Sequence, residues 1–290
     1  MIVARAEVVP RSPLRLPGRT ADGTTAGSGD RQDVRRLAYL DGAPVVLRAV
    51  HREDGVVELS ARAGDARRAE RGLERARFWT GVDDDLRPFL EAFAGDELIG
   101  ESVTTAPWLR PYRRPMPFDV LLGAVCEQLV TDERATAIKR AITQAHGRRH
   151  DGLLAVPLPE DVARLAPAEL AAHDLAPKRA ITLIAAAREV AAGRVDLLDP
   201  AAQPRGWQRL RRLPGVGPWT LSVLALHGQG HADALPAGDH AYRTAVARLR
   251  GGRGLADERA VVELFAAYRP WRGVAGWHVL RTLRRRGTLG

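Results

Sequence analysis

Cysteine occurs once in the 290 residues, at Cys126. A lone thiol excludes an intrachain disulfide framework and any four-cysteine iron–sulfur or zinc cluster. It lies in the apolar segment FDVLLGAVCEQLV, where a thiol is expected to be inert core. Lysine is almost as scarce: Lys139 and Lys178 are the only two, and arginine supplies the rest of the 44 basic residues. Aromatics make up only 5% of the chain. No apolar run approaches the ~18 residues that would argue for a membrane helix. The basic N-terminus lacks the apolar centre of a secretory signal, so the expected compartment is the cytoplasm, with no membrane partner.

What the sequence has in excess is positive charge, +9 at neutral pH. That balance suits a polyanionic partner such as nucleic acid, although a basic surface can also be merely solvated. The length and the 45% hydrophobic content allow a sizeable core and two domains.

Composition divides the chain. The stretch LPGRTADGTTAGSGDRQD, Leu16 to Asp33, is rich in Gly, Ser, Thr and Asp and reads as a mobile loop. Residues 1–33 are accordingly expected to be flexible or partly extended. APVVLRAVHREDGVVELSARAG offers two β-branched runs around Asp54-Gly55, a hairpin signal, so residues 34–106 are expected to form a small α+β domain. From about Phe118 the periodicity is helical and the loops are marked by Pro and Gly. The fold class is therefore α+β: a small N-terminal domain containing antiparallel β-structure, then an all-helical domain over 107–290.

Within that helical region, RRLPGVGPWTLSVLALHG, Arg211 to Gly228, places a tight Pro-Gly-Val-Gly turn between two helices, the second starting at Pro218-Trp219. Glycines there let the backbone turn sharply and leave N–H groups facing a possible anion. Arg209, Arg211 and Arg212 add charge beside it. The same pattern also suits a plain glycine-turned corner with no ligand. Two dozen residues later, ALPAGDHAYRTAVARL puts Asp239 at a helix start, where by itself it is a good N-cap.

LPGVGPWTL, the Gly/Pro-rich loop and the helix-initiating Asp together resemble the helix-hairpin-helix DNA glycosylase superfamily, in its alkylbase branch, 3-methyladenine DNA glycosylase II. PFDVLLGAVCEQLVTDERATAIKRAITQAHG, LAPKRAITLIAAAREVAAG and YRPWRGVAGWHVLRT fit that branch's helices in order and spacing, so the resemblance covers roughly Pro107 to Thr282. It implies a helix-hairpin-helix glycosylase domain in base excision repair that acts on double-stranded DNA with damaged bases, as a monomer. It also implies the site residues. Asp239 would be the catalytic carboxylate, stabilising an oxocarbenium-like sugar and orienting water. Trp219 would stack on a flipped cationic base, unless it is simply a core tryptophan. Leu129 would be the wedge filling the gap left by the flipped base, unless it lies on an ordinary helix face. Gly215, Val216, Gly217, Arg211, Arg212 and Thr220 would hold DNA. The backbone carbonyls of Arg211, Leu213 and Val216 would hold a structural Na⁺ or K⁺, with no cofactor needed for catalysis and no iron–sulfur cluster.

Relatives that also cut the strand carry a Schiff-base lysine two residues after the hairpin's last glycine. Trp219 stands at that position, and neither Lys139 nor Lys178 is near it in sequence, so a monofunctional hydrolase is expected. One departure is that a pocket aromatic of the branch aligns with Leu280, while Trp277 falls almost a turn earlier. Trp271 and Arg272 read as packing and capping residues, and His240 and His278 as structural or solvent-facing. Cationic purines such as 3-methyladenine and 7-methylguanine are expected to leave fastest. Neutral bases need a placed general acid, and the sequence offers none: His240, one residue past Asp239 on a helix, points elsewhere. A catalytically idle DNA-damage-binding protein and a glycosylase for other damaged bases are the alternatives.

Overall fold

The computed structural model describes residues 1–289; Gly290, the last residue of the expected helical domain, lies outside them. Five antiparallel strands open the chain: β1 (Ile2–Val8), β2 (Thr25–Gly27), β3 (Asp33–Leu40), β4 (Ala43–His51) and β5 (Val57–Ala63), in spatial order β1-β5-β4-β3-β2. In β5 every second residue (Val57, Leu59, Ala61, Ala63) is buried, the period of a half-covered sheet. Helix α1 (Ala66–Thr80), N-capped by Asp65, covers that face. Gly72 permits the close fit, because a Cβ there would lie 2.5 Å from Val45 Cγ1. The Asp54-Gly55 hairpin forms as expected, with Gly55 at φ 84°.

Three expectations are corrected. First, residues 16–33 are tied down rather than mobile: Leu16, Asp22, Thr24 and Thr25 are buried. Their polarity is satisfied internally, with Asp22 accepting from the Thr20 hydroxyl at 2.6 Å, the Thr24 hydroxyl at 2.6 Å and the Thr24 amide at 3.0 Å. Second, the boundary at 106/107 does not separate two cores. Phe89 of α2 (Arg87–Phe93), Val103 of α3 (Gly100–Thr105) and Ile99 just before α3 are buried in one core with Val246, Phe265 and Val279, far along the chain. Third, the helical region is not purely helical, since a two-stranded ribbon, β6 (Arg148–His150) and β7 (Leu153–Ala155), interrupts it.

The other helices follow the sequence pattern. They are α4 (Pro117–Glu127), α5 (Asp132–His146), the short α6 (Pro159–Val162) and α7 (Pro167–Ala171), α8 (Pro177–Ala191), α9 (Gln203–Leu210), α10 (Pro218–Val223), α11 (His240–Leu249), α12 (Glu258–Phe265) and α13 (Arg272–Arg285). α10 runs on as a π-helical turn over Leu224–Gly228. α4 is buried from Pro117 to Cys126 and forms the axis of the central core. Cys126 is fully buried, and burial pushes its thiol up to about 12, which makes it inert as expected. Ion pairs stitch sheet to helices: buried Arg36 of β3 reaches buried Asp119 of α4, which also meets Lys139 Nζ of α5 at 2.7 Å. Among the described residues no helix is long and apolar enough to cross a membrane.

Candidate active site

The turn between α9 and α10 uses its two glycines differently. Gly215 has φ 86°, and a Cβ on it would meet Thr182 Oγ1 at 2.6 Å, so glycine is required by the fold itself. The Thr182 hydroxyl donates to the Pro214 carbonyl at 2.8 Å and locks the turn. Gly217 has an extended backbone, and a Cβ there would meet nothing within 4 Å. Its smallness serves no internal contact. The amides of Gly215 and Gly217 donate to nothing among the described residues, while that of Val216 donates to the Leu213 carbonyl at 3.1 Å. Arg211 and Arg212 are exposed and pair with no carboxylate among the described residues. Arg209, by contrast, is held by Glu189.

Two of the residues expected to hold DNA have buried side chains. Val216 is 4% exposed and packs in the central core; Thr220 is 1% exposed, and its hydroxyl accepts from Gln128 Nε2 at 3.2 Å. A one-turn motif marks which residues shape the backbone but not which way each side chain faces. For the expected cation site, the Arg211 and Val216 carbonyls accept no internal hydrogen bond among the described residues, and the Leu213 carbonyl accepts one. Three carbonyls with spare lone pairs suit a hard monovalent ion.

Leu129 is no helix-face core residue. α4 ends at Glu127, and Leu129 follows with φ 56° and its side chain entirely exposed. Both features are costly for leucine in an isolated protein. Neighbours hold the segment in place: Gln128 Nε2 donates to the Gly215 carbonyl at 2.8 Å, and Arg179 donates to the Gln128 carbonyl at 2.6 Å and the Cys126 carbonyl at 3.2 Å. Gln128 and Arg179 thus bolt the exposed leucine to the glycine turn. Neither was singled out by the sequence, because their partners lie 87 and 51 residues away.

Asp239 caps α11 as its position predicts, with Oδ1 accepting from the Ala241 amide at 2.8 Å. Its Oδ2 accepts from Trp219 Nε1 at 3.3 Å, so two residues 20 apart in sequence meet. One helical turn beyond Trp219, Val223 lines a cleft with Tyr112, Gly123, Glu127, Lys139 and Asp22. Tyr112 stacks on His227 with ring centroids 4.0 Å apart and meets the edge of Trp277 at 5.8 Å. Leu280 instead packs in the core shared by α2 and α13. The cleft's aromatic wall is therefore Tyr112, which only tertiary structure could reveal.

Lys139, distant from Trp219 in sequence, lines this cleft. Its Nζ is clamped between Asp119 at 2.7 Å and Asp22 at 3.1 Å. Burial alone would raise both carboxyls, but Lys139, Arg36 and Arg114 hold them well below the usual range. His278 is structural as expected: it is fully buried, its Nδ1 sits 2.9 Å from Ser102 Oγ, and burial pushes it down to about 4. Arg272 grips Asp233 at 2.7 and 2.9 Å, and Trp271 packs edge-on to Phe89.

Residues 122–270 match the family model described as HhH-GPD superfamily base excision DNA repair protein. The chain is 34% identical over 219 residues to a probable bifunctional transcriptional activator/DNA repair enzyme AlkA of Mycobacterium tuberculosis, covering 72% of this chain and 42% of that one. It is 24% identical over 211 residues to a DNA-3-methyladenine glycosylase of Bacillus subtilis, with 71% and 70% covered. The fold resembles that of a 3-methyladenine DNA glycosylase from Archaeoglobus fulgidus, with a TM-score of 0.76 at 15% identity over 97% and 98% of the two chains. The chain thus spans less than half the length of the mycobacterial relative.

Proposed function

The chain belongs to the HhH-GPD superfamily of base excision DNA repair proteins, and from that premise we propose that it hydrolyses the N-glycosidic bond of alkylated purines in duplex DNA without cutting the strand. The observation that carries this reading is the Trp219–Asp239 hydrogen bond, one helical turn from Val223 of the cleft, together with an exposed leucine at positive φ. Leu129 would enter the stack as the base leaves it. Trp219 and Tyr112 would flank the extruded ring, attracting a cationic base by ~0.5–2 kcal/mol. N3- and N7-methylated purines already carry the charge that weakens the C1′–N bond. As that bond breaks, Asp239 would stabilise the positive sugar and orient water towards C1′.

The amides of Gly215 and Gly217, with Arg211 and Arg212, would grip phosphate. A Na⁺ or K⁺ held by the Arg211, Leu213 and Val216 carbonyls would add positive charge between turn and phosphate. Strand cleavage needs a free amine at C1′, and the cleft's one lysine is engaged by two carboxylates.

The test is a panel of duplexes bearing 3-methyladenine, 7-methylguanine, 8-oxoguanine, uracil or an A·G mismatch, each with and without borohydride. Release of the methylated purines, breaks only after hot alkali and no trapped adduct are expected. Preferential release of 8-oxoguanine or mismatched adenine refutes the alkylpurine assignment, a borohydride adduct refutes the hydrolase-only chemistry, and tight binding with no release marks an idle scaffold.

A further inference from the structure

We propose that Glu127, which lines this cleft, is a second catalytic carboxyl beside Asp239, the general acid that protonates an uncharged purine as it leaves, so that the enzyme also releases neutral bases such as hypoxanthine. The inference rests on the glycosylase reading above and supplies the acid that sequence inspection fails to find.

Glu127 is the last residue of α4, and the face Val120, Gly123, Ala124, Glu127 forms one wall of the cleft. Gly123 opens the space before it: a Cβ there would sit 3.8 Å from Glu127 Oε1 and 3.5 Å from Lys139 Nζ. The Glu127 carboxyl therefore lies in the cleft rather than out along the helix axis. Its residue is solvent-accessible, yet it makes no ion pair and no hydrogen bond among the described residues. Lys139, the adjacent cation, is committed to Asp119 and Asp22. Its oxygens are thus free to meet a ligand that enters the cleft.

The groups that surround it come from every neighbouring element. Lys139 and Asp132 face it from α5, Arg114 and Tyr112 from the segment before α4, and Asp239 from the start of α11. Burial pushes its carboxyl up, Asp132 and Asp239 push it further, and the attraction of Lys139 and Arg114 offsets only part of this. Asp239 holds two N–H donors whereas Glu127 holds none. Two carboxyls with environments this different are fitted to different roles.

In the reaction, the C1′–N9 electron pair moves onto the purine while Glu127 transfers its proton to a ring nitrogen of the departing base. Asp239 steadies the positive sugar, water adds to C1′, and the water's surplus proton passes to the Asp239 carboxylate and on to solvent. Glu127, open to the cleft mouth, regains its proton from solvent. A base that is already cationic needs no such transfer.

Single-turnover release of hypoxanthine and 7-methylguanine from matched duplexes by wild type and Glu127→Gln tests this, alongside binding to an abasic duplex as a control of fold. Hypoxanthine release is expected to fall about 100-fold, with a loss for 7-methylguanine at least about tenfold smaller. In wild type the hypoxanthine rate declines as pH rises through the elevated carboxyl value, because only the protonated form acts; the variant lacks this limb. Equal losses for both bases, undiminished hypoxanthine release by the variant, or a wild type that frees 7-methylguanine but never hypoxanthine would each overturn the role of Glu127. A wild type that frees neither base refutes the alkylpurine reading instead.

Discussion

Replacing Asp239 by Asn removes one charge and almost no volume, so its effect can be worked out from the contacts. At about 4 Å from a positive sugar, in the effective dielectric of about 20 that suits a half-buried group, a carboxylate contributes roughly 4 kcal/mol. That corresponds to about a thousandfold in rate, within the ~10²–10⁴ range usual for lost electrostatic stabilisation. The ground-state cost is smaller. Asp239 accepts from both the Ala241 amide and Trp219 Nε1, but an Asn oxygen can serve only one of them while its NH₂ faces the other donor. Losing one such bond costs about 1 kcal/mol, or about 2–4 °C in melting temperature for a chain of this size. Single-turnover release of 7-methylguanine, read beside thermal melting and abasic-duplex binding, separates the two effects. A folded Asp239→Asn protein that excises at the wild-type rate would refute the assignment.

The glycine turn and the wedge give two further predictions. Gly217→Ala places a methyl in open space, so stability should stay within about 0.5 kcal/mol, whereas DNA binding should weaken about tenfold for damaged and undamaged duplex alike, with a shallower salt dependence. Undiminished binding would mean that phosphate does not approach this turn; Gly215→Asp is a poor substitute for the test, because φ 86° and Thr182 Oγ1 at 2.6 Å make it disrupt the turn itself. Leu129→Ala removes a side chain that touches no core, so the melting curve should hardly move, while duplex excision should drop at least about tenfold, since unstacking costs a few kcal/mol that the wedge offsets. If excision from duplex persisted unchanged, Leu129 would not be the wedge.

What was legible in the sequence is what depends on neighbours within a turn or two. Glycine freedom at Gly215, N-capping by Asp239 and the helical periods of α4, α5 and α8 are local effects, and the structure reproduces each of them. Residues 16–33 look mobile in the sequence because Thr20, Asp22 and Thr24 suit solvent and suit a closed network equally well. The partner that decides between these, Lys139, lies more than a hundred residues on. The same remoteness hid Tyr112, whose ring becomes a cleft wall only when His227 and Trp277 are folded against it. Lys139 shows how far this reaches into function. Its separation from Trp219 along the chain does not fix its place in the fold, where it lines the cleft that Val223, one turn past Trp219, also borders. The physical reason for expecting a hydrolase is instead the pair of carboxylates at 2.7 and 3.1 Å from its ammonium. A nucleophilic amine must be free to reach C1′, and these two ion pairs hold it in place.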